Sequence, residues 1–174
     1  AQVMLDHMNR YLRATPSGSR ATAHPLSAEF ARLEDYLALM AIRMGPRLGS
    51  TLELPDALRD VPVPPLLLQP LVENAIRHGL EPQLAGGRID VRARLLDDGA
   101  RVLLSVHDSG AGLDGAAAIA GVGAGFGLQQ VRERLATLYG SAGTLELSAA
   151  SAGGTRATIT FPLQYASKRP DSRG

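Results

Sequence analysis

The segment Leu66-Leu67-Leu68-Gln69-Pro70-Leu71-Val72-Glu73-Asn74-Ala75-Ile76-Arg77-His78-Gly79 has two faces. Leu68, Leu71, Val72, Ala75 and Ile76 form an apolar stripe, while Asn74, Arg77 and His78 stand at i, i+3 and i+4 on another side. The spacing predicts a helix over about residues 65–79, entered through an extended connector that Pro62, Pro64 and Pro65 enforce. The polar triplet has two readings. A neutral amide oxygen is a good ligand for Mg²⁺, and an Arg and a His one turn further on would meet phosphate oxygens that the metal leaves free. The same three side chains would also suit a solvated surface.

Working outward, the period changes from helical to alternating. Residues 51–54 alternate as a short strand upstream, and downstream Ile89, Val91, Ala93 and Leu95 alternate on a second. Residues 101–107 supply a third, mostly apolar run that ends at Asp108, joined to the second by the hairpin turn Asp97-Asp98-Gly99. A Gly/Ala-rich stretch over residues 110–127 leads into a helix predicted over 128–139. Strands follow at 144–149 and 155–161, with Gly153-Gly154 between them. Helices covering one face of a mixed sheet, an α/β layout, account for this order. Nearer the N-terminus, residues 2–14 read as a helix, and a second helix opens after Pro25 with Ser27 as N-cap and closes at Gly45-Pro46. Phe30, Leu33, Leu37, Met40 and Met44 recur at intervals of three and four. That seam fits a dimerising bundle and equally a helix that packs on its own domain. The polar residues 165–174 read as a disordered tail.

Composition removes several classes of function. The 174 residues are 45% hydrophobic and 20% charged, with a formal net charge of +1, which suits one soluble domain and disfavours nucleic acid as a partner. Zero cysteines exclude disulfides, thiolate metal sites and cysteine nucleophiles. No window approaches the roughly 20 apolar residues that span a bilayer, and a cytoplasmic location is expected. Lys168, in the polar tail, is the single lysine among 18 basic residues. A Walker A loop or a eukaryotic-type kinase needs a lysine on the phosphates, and a Schiff-base enzyme needs one in its site, so all three fall.

Three further strings carry chemistry. Asp108-Ser109-Gly110-Ala111-Gly112 lies where an apolar strand ends. An ionised carboxylate only accepts hydrogen bonds, so it would select adenine by its exocyclic amine and repel the oxygen of guanine, while the glycines let backbone pass close to a flat ring. The string also reads as a plain turn. Gly121, Gly123, Gly125 and Gly127 alternate ahead of a helix, which departs from the dinucleotide G-x-G-x-x-G fingerprint. They read as a flexible loop or as one whose N–H groups wrap an anion. Gly153-Gly154-Thr155 alone is a hairpin turn.

Taken in order, a helix with Glu-Asn, a strand ending in Asp-x-Gly-x-Gly, a Gly-rich segment before a helix and a Gly-Thr hairpin resemble the ATP-site boxes of the GHKL superfamily, which includes gyrase, Hsp90, MutL and sensor histidine kinases. Leu-Gln-Pro-Leu-Val-Glu-Asn-Ala-Ile-Arg-His-Gly and the Gly-Leu-x-x-Val-Arg-Glu-Arg-Leu of residues 127–135 closely resemble sensor histidine kinases of the LytS and AlgZ type. Glu34-Asp35-Tyr36-Leu37 with Ile42-Arg43 is similar to the segment ahead of their ATPase domain.

The resemblance implies a Bergerat-type ATP-binding fold, a two-layer sandwich of a mixed β-sheet covered on one face by helices and preceded by two helices from a dimerisation region. Residues 1–48 would be a partial dimerisation and phosphotransfer region, 49–164 the ATP-binding catalytic domain and 165–174 the tail. It implies that Asn74 ligates Mg²⁺ with Glu73 beside it, that Arg77 and His78 face the phosphates, and that Asp108 holds the adenine amine. Gly110 and Gly112 would shape the pocket, Gly123, Gly125 and Gly127 with Leu128 the lid, and Thr155 would support the adenine end. Gyrase-like members place a catalytic carboxylate where this chain has Pro70, so rapid hydrolysis is not expected.

The family's acceptor histidine sits in a helix opening with an Asn-Pro-His-Phe-like motif that these residues lack. His7, His24, His78 and His107 are poor substitutes, and the expectation is a segment that binds ATP without phosphorylating itself, within a longer parent anchored in the inner membrane. Expected partners are a cognate response regulator, the phosphoacceptor helix of its own or a sister subunit, and a second copy through the helical region. The other readings are a nucleotide-binding regulatory module of the anti-sigma or degenerate-kinase kind, and a gyrase- or MutL-like ATPase, which Pro70 and the small size weaken.

Overall fold

The computed structural model describes residue 6 and residues 23–96, 99–112 and 124–163. The expected helix over residues 2–14 apart from residue 6, the turn residues Asp97 and Asp98, the glycines 121 and 123 and the tail 165–174 lie outside them. Five strands form one mixed sheet: β2 (Leu48–Glu53), β4 (Gly87–Leu95), β5 (Arg101–Asp108), β6 (Thr144–Ala149) and β7 (Thr155–Pro162). Their order is β2-β4-β5-β7-β6, with β2 parallel to β4 and every other pair antiparallel. A two-residue bridge joins β1 (His24–Pro25) to β3 (Pro62–Val63).

Alternation along the strands decides which face is covered. Ile89, Val91 and Ala93 of β4 and Val102, Leu104 and Val106 of β5 are buried, whereas Arg92 and Arg94 project into solvent from the other face. The buried face lies under helices α1 (Leu26–Met44), α2 (Gln69–Asn74, continued by a π-helical turn, Ala75–Leu80) and α3 (Ala124–Tyr139). This is the two-layer α/β sandwich expected from the sequence. Tyr139 closes the far end of α3 by stacking on Phe161 of β7 at 5.1 Å between ring centroids.

The seam of α1 is spent inside the chain. Phe30, Leu33, Leu37 and Met44 are buried in the same core as the sheet, Met40 is packed against it, and the helix contacts β2 and α2. Fully burying one such side chain is worth about 1.5–3 kcal/mol, so four of them tie α1 firmly to the sheet.

Three helix starts differ from expectation, each for a local reason. Ser27 does not cap α1: the helix begins at Leu26 after Pro25, and the N–H groups of Leu26 and Ser27 donate instead to the carbonyls of Val61 and Arg59 at 2.8 and 2.9 Å. Helix α2 starts at Gln69, about four residues late, because Leu66 adopts φ 60°, the left-handed region that a helix cannot include. Helix α3 starts at Ala124, four residues early, so that Gly125 and Gly127 are part of its first turns instead of the loop before it. A glycine is costly but tolerated in a helix.

Candidate functional site

Asp108 ends β5 with 5% of its surface exposed. Its Oδ1 accepts the N–H of Gly110 at 2.9 Å, and the backbone N–H of Thr155, its register partner on β7, also bonds the carboxylate. Burial is the dominant influence and raises the carboxyl above its ordinary value of 3.8; the Gly110 bond, neighbouring His107 and the Thr155 bond pull it back by less. Gly154, at φ 84°, sets its α-carbon against the Asp108 carbonyl, where no side chain fits.

The end of the Asn74 helix meets this strand end directly. A Cβ on Gly79 would lie 2.6 Å from Asp108 Oδ1, and one on Gly110 would strike the Gly79 peptide. Backbone therefore touches backbone where the two elements converge. Asn74 is five residues upstream of Gly79, roughly 8 Å along the axis at 1.5 Å per residue. The helix between them is π-helical over Ala75–Leu80, marked by the Glu81 N–H donating to Ile76 O at 2.8 Å, and Gly79 meets the carboxylate from within that turn. Single π turns inside α-helices recur at functional sites.

On the same helix, Glu73 and Asn74 are half-buried, and Glu73 Oε1 accepts the Gln69 amide at 3.0 Å. Arg77 is exposed. His78 is half-buried, with Nδ1 enclosed and lacking a hydrogen-bond partner among the described residues. Gly112, at φ 78°, continues the turn after Asp108 toward the Gly154 carbonyl. Gly127 faces Pro70: a Cβ there would stand 3.5 Å from the proline Cβ. Leu128 packs on the core, and Gly123 lies outside the described residues. Among those residues no group of three His, Asp or Glu side chains converges as a metal cage.

The sequence reading passed over several residues that build this place. Gly79 and Gly154 were read only as a helix end and a turn. Ser109 locks the turn after Asp108 by accepting the Arg88 N–H at 2.8 Å and donating its own N–H to Arg88 O at 3.0 Å. Glu29 of α1, fully buried, accepts the Leu68 N–H at 2.8 Å just before α2. Arg134 of α3 donates to Leu66 O at 2.8 Å. Beyond the other end of α2, Arg47 donates to the carbonyls of Glu81, Gln83 and Leu84 at 3.2, 2.5 and 3.0 Å. No local motif marks these three, because their partners are 34 to 68 residues away.

Comparison with known proteins bears on the family and the fold. Residues 64–165 match the family described as histidine kinase-, DNA gyrase B-, and HSP90-like ATPase. Sensor histidine kinase YesM of Bacillus subtilis is 35% identical over 129 residues, covering 74% of this chain and 22% of the relative. Sensor histidine kinase/phosphatase LytS of Staphylococcus aureus is 31% identical over 163 residues, covering 89% of this chain and 28% of the relative. The chain thus spans about a quarter of the length of these relatives. In fold it is similar to the catalytic domain of histidine kinase ThkA, with a TM-score of 0.61 at 18% identity over 82% of this chain and 97% of that one. It is also similar to the histidine kinase domain of a blue-light activated kinase from Erythrobacter litoralis, with a TM-score of 0.58 at 19% identity over 93% and 78%.

Proposed function

This chain belongs to the histidine kinase-, DNA gyrase B- and HSP90-like ATPase family, and we propose that it is the ATP-binding catalytic part of a two-component sensor histidine kinase, as its likeness to YesM and LytS supports. The observation that carries the reading is the close approach of Gly79 to Asp108, which brings the Asn74 helix and the Asp108 strand end together.

In this reading Asp108 accepts the adenine amine, and Gly110, Gly112 and Thr155 bound the ring. Burial behind Thr155 and Gly154 excludes water, which strengthens a hydrogen bond to the carboxylate. At the other end, Asn74 and Glu73 hold the metal while Arg77 and His78 meet phosphate oxygens; the enclosed, unpartnered His78 Nδ1 is an atom that a ligand would satisfy. Mg²⁺ fits these residues. It needs only one or two protein oxygens when it arrives on a nucleotide, so the absence of a three-residue cage among the described residues suits it. When bound, it would supply charge neutralisation at the phosphates. Gly123, Gly125 and Gly127, with Leu128, are assigned to the lid end.

The γ-phosphoryl group would pass to an imidazole nitrogen of a phosphoacceptor helix outside the described residues, on the same or a sister subunit, with ADP leaving, and from there to a response regulator. Residues 1–48, which include α1, are assigned to the dimerisation and phosphotransfer region and 49–164 to catalysis. The chain would act in the cytoplasm; among the described residues no helix is long and apolar enough to cross a membrane. Pro70, which cannot activate water, stands against the start of α3 and favours transfer over hydrolysis.

A calorimetric titration with ATP and GTP, with and without Mg²⁺, tests the reading. ATP binding that Mg²⁺ strengthens, with GTP much weaker, supports it. Equal affinity for the two nucleotides contradicts it.

A further inference from the structure

We infer that α1 is a clamp that positions the metal- and phosphate-binding helix, with Glu29 as the positioning residue at one end and Arg47 at the other. Glu29 is fully buried, a costly place for a carboxylate. Its two oxygens are both used: Oε1 accepts the Leu68 N–H, which opens α2, and Oε2 is 2.8 Å from His24 Nε2 on β1. The Leu68 bond spans 39 residues and fixes the backbone one residue before Gln69, where the helix of Glu73 and Asn74 begins.

The neighbouring turn is strained and held as well. Leu66 adopts φ 60°, unfavourable for a side chain with a Cβ, and its carbonyl is secured by Arg134 from α3. At the opposite end, Arg43 of α1 pairs with Glu81 at 3.2 Å, and Arg47, three residues beyond α1, holds the carbonyls that follow the π-helical turn. The helix and the short turn that follows it thus grip both ends of the element that carries Asn74, Arg77 and His78.

The adenine end is built otherwise. Asp108, Thr155 and Ser109 are fixed by strand pairing among β4, β5 and β7 and by the Arg88 bond to Ser109. Loosening the Glu29 end of α2 therefore bears first on how the phosphates and their metal are met, while the adenine end keeps its strand pairing and meets α2 only at Gly79. The inference rests on the nucleotide site proposed above.

The test uses this chain with Glu29→Ala, Arg47→Ala and the conservative Glu29→Gln, whose amide oxygen still accepts from Leu68. Hydrogen exchange without nucleotide is expected to rise in residues 67–80 of Glu29→Ala and in 78–84 of Arg47→Ala, with strand residues 101–108 as protected as before and Glu29→Gln near wild type. Unchanged protection in residues 67–84, or loss spread evenly into the strands, overturns the clamp. In calorimetry, ATP affinity without Mg²⁺ should hold in Glu29→Ala while the gain on adding Mg²⁺ falls about 10- to 100-fold, the usual effect of removing a partner that orients a metal ligand. Equal losses with and without Mg²⁺ also overturn it. A wild-type chain that shows no Mg²⁺ effect instead counts against the nucleotide site, and the exchange data then decide the clamp alone.

Discussion

Replacing Asp108 by Asn should move nucleotide affinity and stability in opposite directions. The carboxylate is 5% exposed, and burial raises its pKa above 3.8 despite the Gly110 and Thr155 N–H groups that bond it, so ionising it in the folded protein carries a desolvation cost. The sign follows from linkage. A carboxyl whose folded pKa is raised binds more protons folded than unfolded, so its contribution to stability falls as pH climbs from 3.8 through the raised value and is fully lost above it. The isosteric amide keeps an oxygen for the Gly110 N–H and carries no charge, so its melting temperature at neutral pH should be at or above that of the wild type. ATP binding should weaken, because a hydrogen bond to a charged group contributes about 1.5–3 kcal/mol, or roughly 10- to 160-fold at 1.36 kcal/mol per factor of ten. The new N–H₂ can donate to the guanine oxygen, so the ratio of ATP to GTP affinity should narrow further. Calorimetry at pH 7.5 and thermal melts on the same samples measure all three quantities. Unaltered ATP affinity would refute the adenine assignment, and a collapse of both affinity and melting temperature would show a structural role instead. In the wild type, ATP affinity should decline on acidification at a pH above the range of an ordinary aspartate, with protons released on binding there.

Asn74→Ala should keep most of the metal-free affinity for ATP and lose the Mg²⁺ increment; calorimetry with and without EDTA checks this, and an undiminished increment would remove Asn74 from the metal. Gly79→Ala places a methyl 2.6 Å from Asp108 Oδ1 and should lower ATP affinity at least tenfold, about 1.4 kcal/mol, while the fold persists by circular dichroism; normal binding would mean that the cleft is looser than the contact implies. Leu33→Ala, in the middle of the α1 seam, should destabilise the chain by about 2–5 kcal/mol in urea, and a loss below 1 kcal/mol would mean that α1 is not part of this core.

The sheet was legible because its strands alternate cleanly: Ile89, Val91 and Ala93 are buried in the periodic pattern that predicts them. Asp108, at the end of an apolar run, was legible for the same reason, and the family match covers the boxes that the motifs marked. The start of α2 was not. Leu66 carries no glycine-like signal, and its left-handed backbone is held by tertiary partners that local propensity cannot include. The seam of α1 left dimerisation and self-packing open because a stripe at intervals of three and four is the same in both, and only the partner face tells them apart. Asn74, Arg77 and His78 were grouped by α-helical spacing, but the π-helical turn separates them into a half-buried amide, an exposed guanidinium and a half-enclosed imidazole.

That turn also sets a condition on anyone who would transplant this cleft into another scaffold. A regular α-helix advances about 100° per residue, so copying the side chains of residues 73–79 onto a straight host without the surplus residue would swing glycine 79 away from its acidic neighbour by about that angle. The graft must carry the irregularity along with the residues, and a library that varies chemistry on an ideal backbone would search in the wrong place.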